Sequence, residues 1–357
     1  MTDDLPRGLD GLTPRWLTGS LQNSFPGITI TDASVTGVLH GSAAKATVAV
    51  RHGATGVPGS FVVKGSFTEG LGTDELAQSW HALMVMLNRA EVRFYREDAA
   101  LLADRVPRCH YAAADDKSSV LVLEDLTGRS GGVRFGRFDQ PLPADAMASV
   151  LDALAILHAA RWNDPRLSAA PLPDGFLDGG MLDGFLSRVN WDQQMARPRG
   201  RRVPVELSDH QLVSAAIRRV WAAKRTGPAC LVHGDPHIGN LFFDSAGAGL
   251  LDWQLSTSGH WAADVVYAVA SAMDIEDRRK HEPELLRHYL DRVRAHGGAP
   301  PAYDHAWRSY RGFALWGFVA FLTPGEGVQA EEYNAVVGER HARAAVDLES
   351  LAVLPEL

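Results

Sequence analysis

Asp235, Asn240 and Asp252 are the residues whose types and spacing could do chemistry together. The first two lie in a polar loop, His233-Gly234-Asp235-Pro236-His237-Ile238-Gly239-Asn240, entered through the strand-like Leu231-Val232 and left through Leu241-Phe242-Phe243. A turn over Asp244-Ser245-Ala246-Gly247-Ala248-Gly249 leads into Leu250-Leu251, which ends at Asp252. A hairpin of that length folds the chain back and sets Asp252 beside Asn240, with Asp235 in the loop before them. Carboxylate and amide oxygens on one side of a cleft suit Mg²⁺, a hard cation that takes oxygen ligands and shares them with substrate phosphates. A carboxylate just outside that shell can accept the proton of a hydroxyl. As plain turn or cap residues in so apolar a setting, the three would be costly to bury unpaired.

The elements that must position them follow from pattern. Between Ile28 and Phe67, short β-prone runs (Ile28-Thr29-Ile30, Ala46 to Val50, Ser60 to Val63) alternate with glycine turns, which predicts an antiparallel sheet. From about Thr73 to Arg105 the spacing of Val92, Tyr95, Ala99 and Leu102 predicts helix. Val120-Leu121-Val122-Leu123 is a further strand, after which glycine and proline dominate up to Pro143. That shift marks a boundary: residues 1–125 form a first lobe, with a hinge near 121–128, and 126–357 a second. Helices are expected over Asp145–Trp162, Gln211–Arg225, His281–His296 and Ala306–Phe321. The fold class is therefore α+β, a small antiparallel-sheet lobe with one main helix before a larger, mainly helical lobe.

Composition excludes several classes. Lys plus Arg number 35 against 43 Asp plus Glu, a formal charge of −8, which argues against a binder of nucleic-acid backbones. With 46% hydrophobic and 22% charged residues the chain is of ordinary globular composition. The apolar-rich stretch Gly312–Gly325 falls short of the roughly 20 residues a bilayer span needs, so no membrane span is expected. The acidic start Met1-Thr2-Asp3-Asp4 is unlike a secretory signal, and two cysteines, Cys109 and Cys230, cannot build a disulfide framework. Cytoplasmic residence is the expectation.

Asp235-x-x-x-x-Asn240 followed by Asp252 resembles the catalytic loop and metal-binding aspartate of the kinase-like fold, and His233-Gly234-Asp235 resembles the form found in aminoglycoside phosphotransferases and choline-kinase-like enzymes. Leu251-Asp252-Trp253-Gln254 and Ala155-Ile156-Leu157-His158-Ala159-Ala160 resemble the ecdysteroid-kinase-like branch of that superfamily. Lys64 at a strand end, Glu91 on the following helix and Leu121-Val122-Leu123-Glu124-Asp125-Leu126 as hinge complete the order over about 300 residues. The resemblance implies a bilobal protein-kinase-like fold and a small-molecule kinase that uses ATP and Mg²⁺. It implies that Lys64, aimed by Glu91, binds the nucleotide phosphates, that Glu124 and Leu126 belong to the nucleotide site, and that Asn240 and Asp252 hold Mg²⁺. Asp235 would be the base in direct in-line transfer. The phosphate-covering loop falls on Gly41-Ser42-Ala43-Ala44-Lys45, without a full G-x-G-x-x-G. His237 stands where protein kinases carry a lysine, which leaves the neutralisation of the γ-phosphate open.

Other residues have plainer expectations. His233 and His158 are expected to be structural, and Asp264 to cap a helix and brace the loop. Arg197, Arg199, Arg201 and Arg202 are expected in a solvated loop, with contact to an anionic substrate group as the lesser reading. Glu326, Glu331 and Glu332 have the same status toward a cation. Gly128-Arg129-Ser130-Gly131-Gly132 spells G-x-S-x-G, but no helix start follows, so a nucleophile elbow is discounted. A two-metal phosphoesterase lacks its further histidines. The acceptor is expected to be a hydroxylated small molecule, bulky and fairly apolar given Trp307, Tyr310, Phe313, Trp316 and Phe318. An aminoglycoside-type antibiotic phosphotransferase and a non-catalytic pseudokinase are the alternatives, and the sequence says nothing of oligomeric state.

Overall fold

The structure, a computed structural model, describes residues 5–39, 44–67, 75–169, 180–224, 227–325 and 329–354. The chain divides into two compact units: Met1–Val133 with Trp253–Leu255, and Arg134–Asp252 with Ser256–Leu357. The first is built on an antiparallel sheet and the second is mainly helical, the α+β class read from the sequence.

In the first unit, strands β1 (Ile30–Leu39), β2 (Ala44–His52), β3 (Ser60–Gly65), β4 (Cys109–Ala114) and β5 (Ser119–Glu124) lie in the order β1-β2-β3-β5-β4. Ala46, Val48 and Val50 alternate inward on β2, and Phe61 and Val63 on β3, the period of two expected of a strand with one buried face. That face is covered by α1 (Pro14–Leu21) through Trp16, Leu17 and Leu21. The helix starts at Pro14 because Thr13 caps it, its hydroxyl accepting from Trp16 N at 3.2 Å. Helix α2 (Glu75–Glu97) packs on β4 and β5. The helix expected over Thr73–Arg105 thus ends at Glu97, and Ala99–Arg105 is a 3₁₀ stretch interrupted at Ala103. β1 runs well past the expected Ile28–Ile30; the stretch from Asp32 to Gly37 is not β-rich in composition and is held by its ladder to β2.

In the second unit, β6 (Arg134–Phe135), β8 (Leu241–Asp244) and β9 (Gly247–Leu250) form one small sheet, and β7 (Ala229–Val232) pairs with β10 (Thr257–His260) in another. Arg134-Phe135 being a strand removes the helix that a nucleophile elbow would need. Helices α3 (Ala144–Ala160), α4 (Gly180–Phe185), α5 (Arg188–Met195), α6 (His210–Ala223), α7 (Trp261–Ala272), α8 (Ile275–Ala295), α9 (Tyr303–Phe313), α10 (Leu315–Leu322), α11 (Glu331–Asp347) and α12 (Ser350–Val353) surround them. Two expected boundaries shift. α8 begins six residues early at the Asp274 cap and runs through Pro283, and the helix expected over Ala306–Phe321 is two, α9 and α10, meeting at Ala314. α7 is almost wholly buried and packs against α3, α9 and α11, which makes it the core element beneath the loop that carries Asp235. Among the described residues, no helix is long and apolar enough to cross a membrane.

Candidate active site

The polar loop leaves β7 at Val232 and turns at Gly234, whose φ of +86° is a left-handed conformation that glycine adopts without a Cβ penalty. Asp264, in the first turn of α7, holds that turn from below. Its Oδ2 accepts from His233 N at 2.6 Å, its Oδ1 from Gly234 N at 3.0 Å, and His158 Nε2 lies 3.2 Å from Oδ2. Burial pushes the Asp264 carboxyl up, but the bond and charge of His158 and the amide of His233 outweigh it and leave it below the ordinary carboxylate value. Asp264 is therefore the brace that was expected, though not the cap. His260 caps α7, accepting from Ala262 N at 3.2 Å.

The expected structural histidines have structural partners. His158 also meets Tyr289 Oη at 2.7 Å. His233 accepts from Asp235 N at Nδ1 (3.2 Å), which leaves its Nε2–H to donate to Leu251 O at 2.9 Å, tying the loop to the end of the hairpin.

The hairpin is as the spacing predicts. Leu241 pairs with Leu250, and Leu251 N donates to Asn240 O at 2.8 Å, so Asp252 is the next residue after a ladder partner of Asn240. Asp252 itself has φ +65°, uncommon for a residue with a Cβ and a kind of strain that clusters at functional sites. Asn240 Nδ2 donates to Asp235 O at 2.9 Å, so the nitrogen of the amide is spent and its oxygen remains as the group a cation would take. An amide oxygen and a carboxylate fit Mg²⁺, which is usually held by one or two carboxylates and completed by phosphates and water. Among the described residues, no group of three or more His, Cys, Asp or Glu could hold a metal ion.

Asp235 is poised differently from Asp264. Its side chain is 29% exposed, and Oδ1 accepts from Tyr267 Oη at 2.8 Å. Asn240 Nδ2 and His237 Nε2 each approach Oδ2 to 3.5 Å. Burial, then the charge of Asp235, pushes the Tyr267 hydroxyl well above its usual value, so it remains a donor. Tyr267 was not singled out in the sequence. It sits three residues after Asp264 on α7, so one helix face grips the loop twice, and that i, i+3 spacing was the signal available.

In the first unit, Lys64 and Glu91 pair at 2.5 Å, both almost completely buried. Trp253 N donates to Glu91 Oε1 at 3.2 Å, the Trp253 ring stacks on Phe94 at 3.6 Å, and Gln254 Nε2 donates to Asn88 Oδ1 at 2.5 Å. The two residues after Asp252 are thereby fastened to α2. The Glu124 carboxylate is taken up by Arg129 (2.9 Å to each oxygen) and by Arg108 N at 3.1 Å, so it has a structural task. Leu126 is buried at the start of a 3₁₀ turn capped by Asp125. Gly41, Ser42 and Ala43 lie outside the described residues, as does Glu326.

The arginine cluster corrects one expectation. Arg199 is 4% exposed, paired with Glu331 at 2.5 Å and bonded to the carbonyls of Phe321, Leu322 and Pro324, so it closes the end of α10 rather than lying in solvent. Arg202 pairs with Glu339 at 2.9 Å. Of the late aromatics, Phe313 stacks on His260, Trp316 packs on Trp221 and Trp307 stacks between Tyr303 and Tyr310. Of the five, Phe318 lines a small recess of about 10 Å³, with Phe321, Leu322 and Asn334 on one side and Arg199, Arg202 and Glu339 on the other. Asn334 is fully buried, and neither atom of its amide has a hydrogen-bond partner. Phe321 also lies edge-on to His237 at 5.7 Å, so this cavity shares a wall with the loop.

Several solved structures are similar to this chain. A choline kinase from Cryptosporidium parvum Iowa II has a TM-score of 0.49 at 12% identity, covering 96% of this chain and 98% of that one. The choline kinase LicA from Streptococcus pneumoniae gives 0.48 at 12% (93% and 98%), and the macrolide 2'-phosphotransferase MphH from Brachybacterium faecium 0.41 at 17% (91% and 97%). No curated protein sequence matches the chain. Residues 35–313, well over half the chain, match the family described as phosphotransferase enzyme family (APH), and the chain belongs to that family.

Proposed function

We propose that the protein is an ATP-dependent kinase of a small hydroxylated molecule, with Asp235 as the base in direct transfer of the γ-phosphoryl group. The observation that carries this reading is the part-exposed carboxylate of Asp235, which accepts from Tyr267 and stands beside the hairpin end that brings Asn240 and Asp252 together. Asn240 and Asp252 would hold Mg²⁺, which when bound supplies positive charge against the phosphates. Lys64, fixed by Glu91, would bind nucleotide phosphates as a point charge whose direction the buried pair sets. Asp235 would orient the acceptor hydroxyl and take its proton as the phosphoryl group moves. Glu124 and Leu126 would serve the nucleotide through their main chain at most, since the Glu124 carboxylate is committed to Arg129.

Within the family we favour the ecdysteroid-kinase-like branch, on Leu251-Asp252-Trp253-Gln254 and the 155–160 segment, and a bulky, fairly apolar acceptor. What supports the acceptor class is the apolar side that Phe318, Phe321 and Leu322 present next to His237, although Arg199, Arg202 and Glu339 line the other side of the same small recess. The test is ADP release from Mg²⁺-ATP over a panel running from aminoglycosides through macrolides to sterols and hydroxyacyl thioesters, with Asp235→Asn as control. Turnover of an apolar member, lost in the control, is the expected result. Turnover confined to aminoglycosides would move the acceptor to the polycationic class, and Mg²⁺-ATP binding with activity unchanged by Asp235→Asn would remove the assigned base.

A further inference from the structure

The ring of His237 is held in a way that decides where its proton sits. Nδ1 lies 3.0 Å from Gly239 N and 2.7 Å from Tyr333 Oη, and Gly239 N also reaches Tyr333 Oη at 3.1 Å. A backbone amide can only donate, so this contact favours a lone pair on Nδ1, but the amide is shared with Tyr333 and does not fix the tautomer by itself. The Tyr333 oxygen accepts from the same amide, which leaves its hydroxyl hydrogen for Nδ1. With two donors on Nδ1, the proton of the ring belongs to Nε2, and Nε2 faces Asp235 Oδ2 at 3.5 Å. The close approach depends on glycine at 239, where a Cβ would come within 2.8 Å of Tyr333 Oη and 2.9 Å of His237 Cε1. Phe321 at 5.7 Å and the Tyr333 ring at 5.6 Å flank the imidazole edge-on and oppose its turning over.

We propose that Tyr333 is a positioning residue that locks His237 in the Nε2–H tautomer, so that a hydrogen-bond donor, never an acceptor, faces the second oxygen of Asp235. The sense of the lock matters chemically. A bare imidazole nitrogen at that place would repel the carboxylate and compete with it for the proton of an incoming hydroxyl. An N–H instead draws Oδ2 toward itself while Tyr267 holds Oδ1, which restricts the rotation of the carboxylate from both sides. The 3.5 Å separation is long for a hydrogen bond, and contacts of this kind shorten when substrate fills a site. The tautomer rests on the hydrogen bonds of Gly239 and Tyr333 taken together; its effect on turnover rests on the phosphotransferase reading with Asp235 as base.

The two halves are tested separately on the full chain. Long-range ¹H–¹⁵N spectra of histidine-labelled protein should show His237 with an unprotonated Nδ1 and a protonated Nε2, and Tyr333→Phe should give a tautomer mixture. A protonated Nδ1 in the unaltered protein, or an unchanged spectrum in Tyr333→Phe, overturns the lock whatever the enzyme does. For the effect on turnover, the probe is Mg²⁺-ATP hydrolysis with water as acceptor. Tyr333→Phe should lower kcat about tenfold with the KM for ATP unchanged. His237→Gln, whose amide N–H₂ can stand near the place of Nε2, should recover most of what His237→Leu loses. Equal losses in those two variants would overturn the positioning role. An unaltered protein that binds Mg²⁺-ATP without any turnover would count against the phosphotransferase reading instead, and the spectra alone would then decide the inference.

Discussion

Two carboxylates hold the same loop, and they are treated in opposite ways. Asp264, beneath it, is buried and filled: two main-chain amides and His158 all point at its oxygens. Asp235, at the tip, is 29% exposed and accepts from the hydroxyl of Tyr267 at 2.8 Å. A buried carboxylate saturated with donors holds its charge firmly and is poor at taking up a proton; one open to solvent can be met by a new hydroxyl. The contrast separates the group that builds the loop from the group the loop presents. Lys64–Glu91 in the first unit belongs with Asp264 in this respect, a buried pair whose geometry is fixed before any ligand arrives.

The largest effect expected is on Asp235. Asp235→Asn keeps the shape and the Tyr267 contact but removes the proton acceptor, and should cost about 10²–10⁴ in kcat, with the urea midpoint nearly unchanged. A comparable fall in stability would erase the distinction between tip and base. Asp264→Ala should do the reverse, since it leaves the amides of His233 and Gly234 and the ring of His158 buried without an acceptor. The expected loss is roughly 3 kcal/mol of folding free energy, measured by chemical denaturation, with turnover falling only as the loop loosens. Asp264→Ala with native stability would show that the brace is dispensable.

The same contrast explains what could be read from the sequence. Asp235, Asn240 and Asp252 were legible because a short hairpin brings them together, and a hairpin is local. Lys64 and Glu91 were legible only as members of an ordered set, since nothing near either residue in the chain specifies their pairing. Tyr267 and Tyr333 were missed because they reach the loop from 32 and 96 residues away. A lone tyrosine on an apolar helix reads as core until its hydroxyl is seen to have a partner. Arg199 was read as solvated for the same reason: within an arginine-rich stretch only tertiary structure singles out the one that meets Glu331 and three carbonyls. Helix ends moved where capping decided them, as at Asp274, rather than where periodicity did.

Acid sharpens the comparison further, because the helices behind the loop carry histidines that burial keeps neutral. Burial, with lesser contributions from neighbouring positive groups, pushes His341 down to about 3, and His260 is pushed down to about 4. A histidine depressed in the folded state contributes nothing to pH dependence above its unfolded value near 6.5. Below that value the unfolded chain binds the proton and the folded one does not. Stability should therefore fall as pH drops from about 6.5 toward 4, by at most about 1.4 kcal/mol per pH unit for each group. Asp264, lowered rather than raised, adds its own loss only below the carboxylate range, as pH falls through its folded value. Denaturation midpoints at pH 7, 6 and 5 should decline in the native chain, and His341→Gln should flatten the slope; an equal slope in both would mean that His341 is not the group titrating.

The smallest effect should come from Tyr267→Phe, which removes the 2.8 Å bond to Asp235 and leaves the Asp264 brace intact. A bond from a neutral donor to a charged acceptor is worth about 1.5 kcal/mol, or roughly a tenfold change. Asp235 is partly exposed, so water can replace the lost donor and stability should move by less than the turnover does. The carboxylate should then be free to rotate, and the loss should lie in kcat with the KM for ATP unchanged, because nucleotide binding does not depend on where the Asp235 oxygens point. If Tyr267→Phe instead destabilised the protein as much as Asp264→Ala, Asp235 would be a second structural anchor, and its exposure would no longer mark it as the group the loop presents.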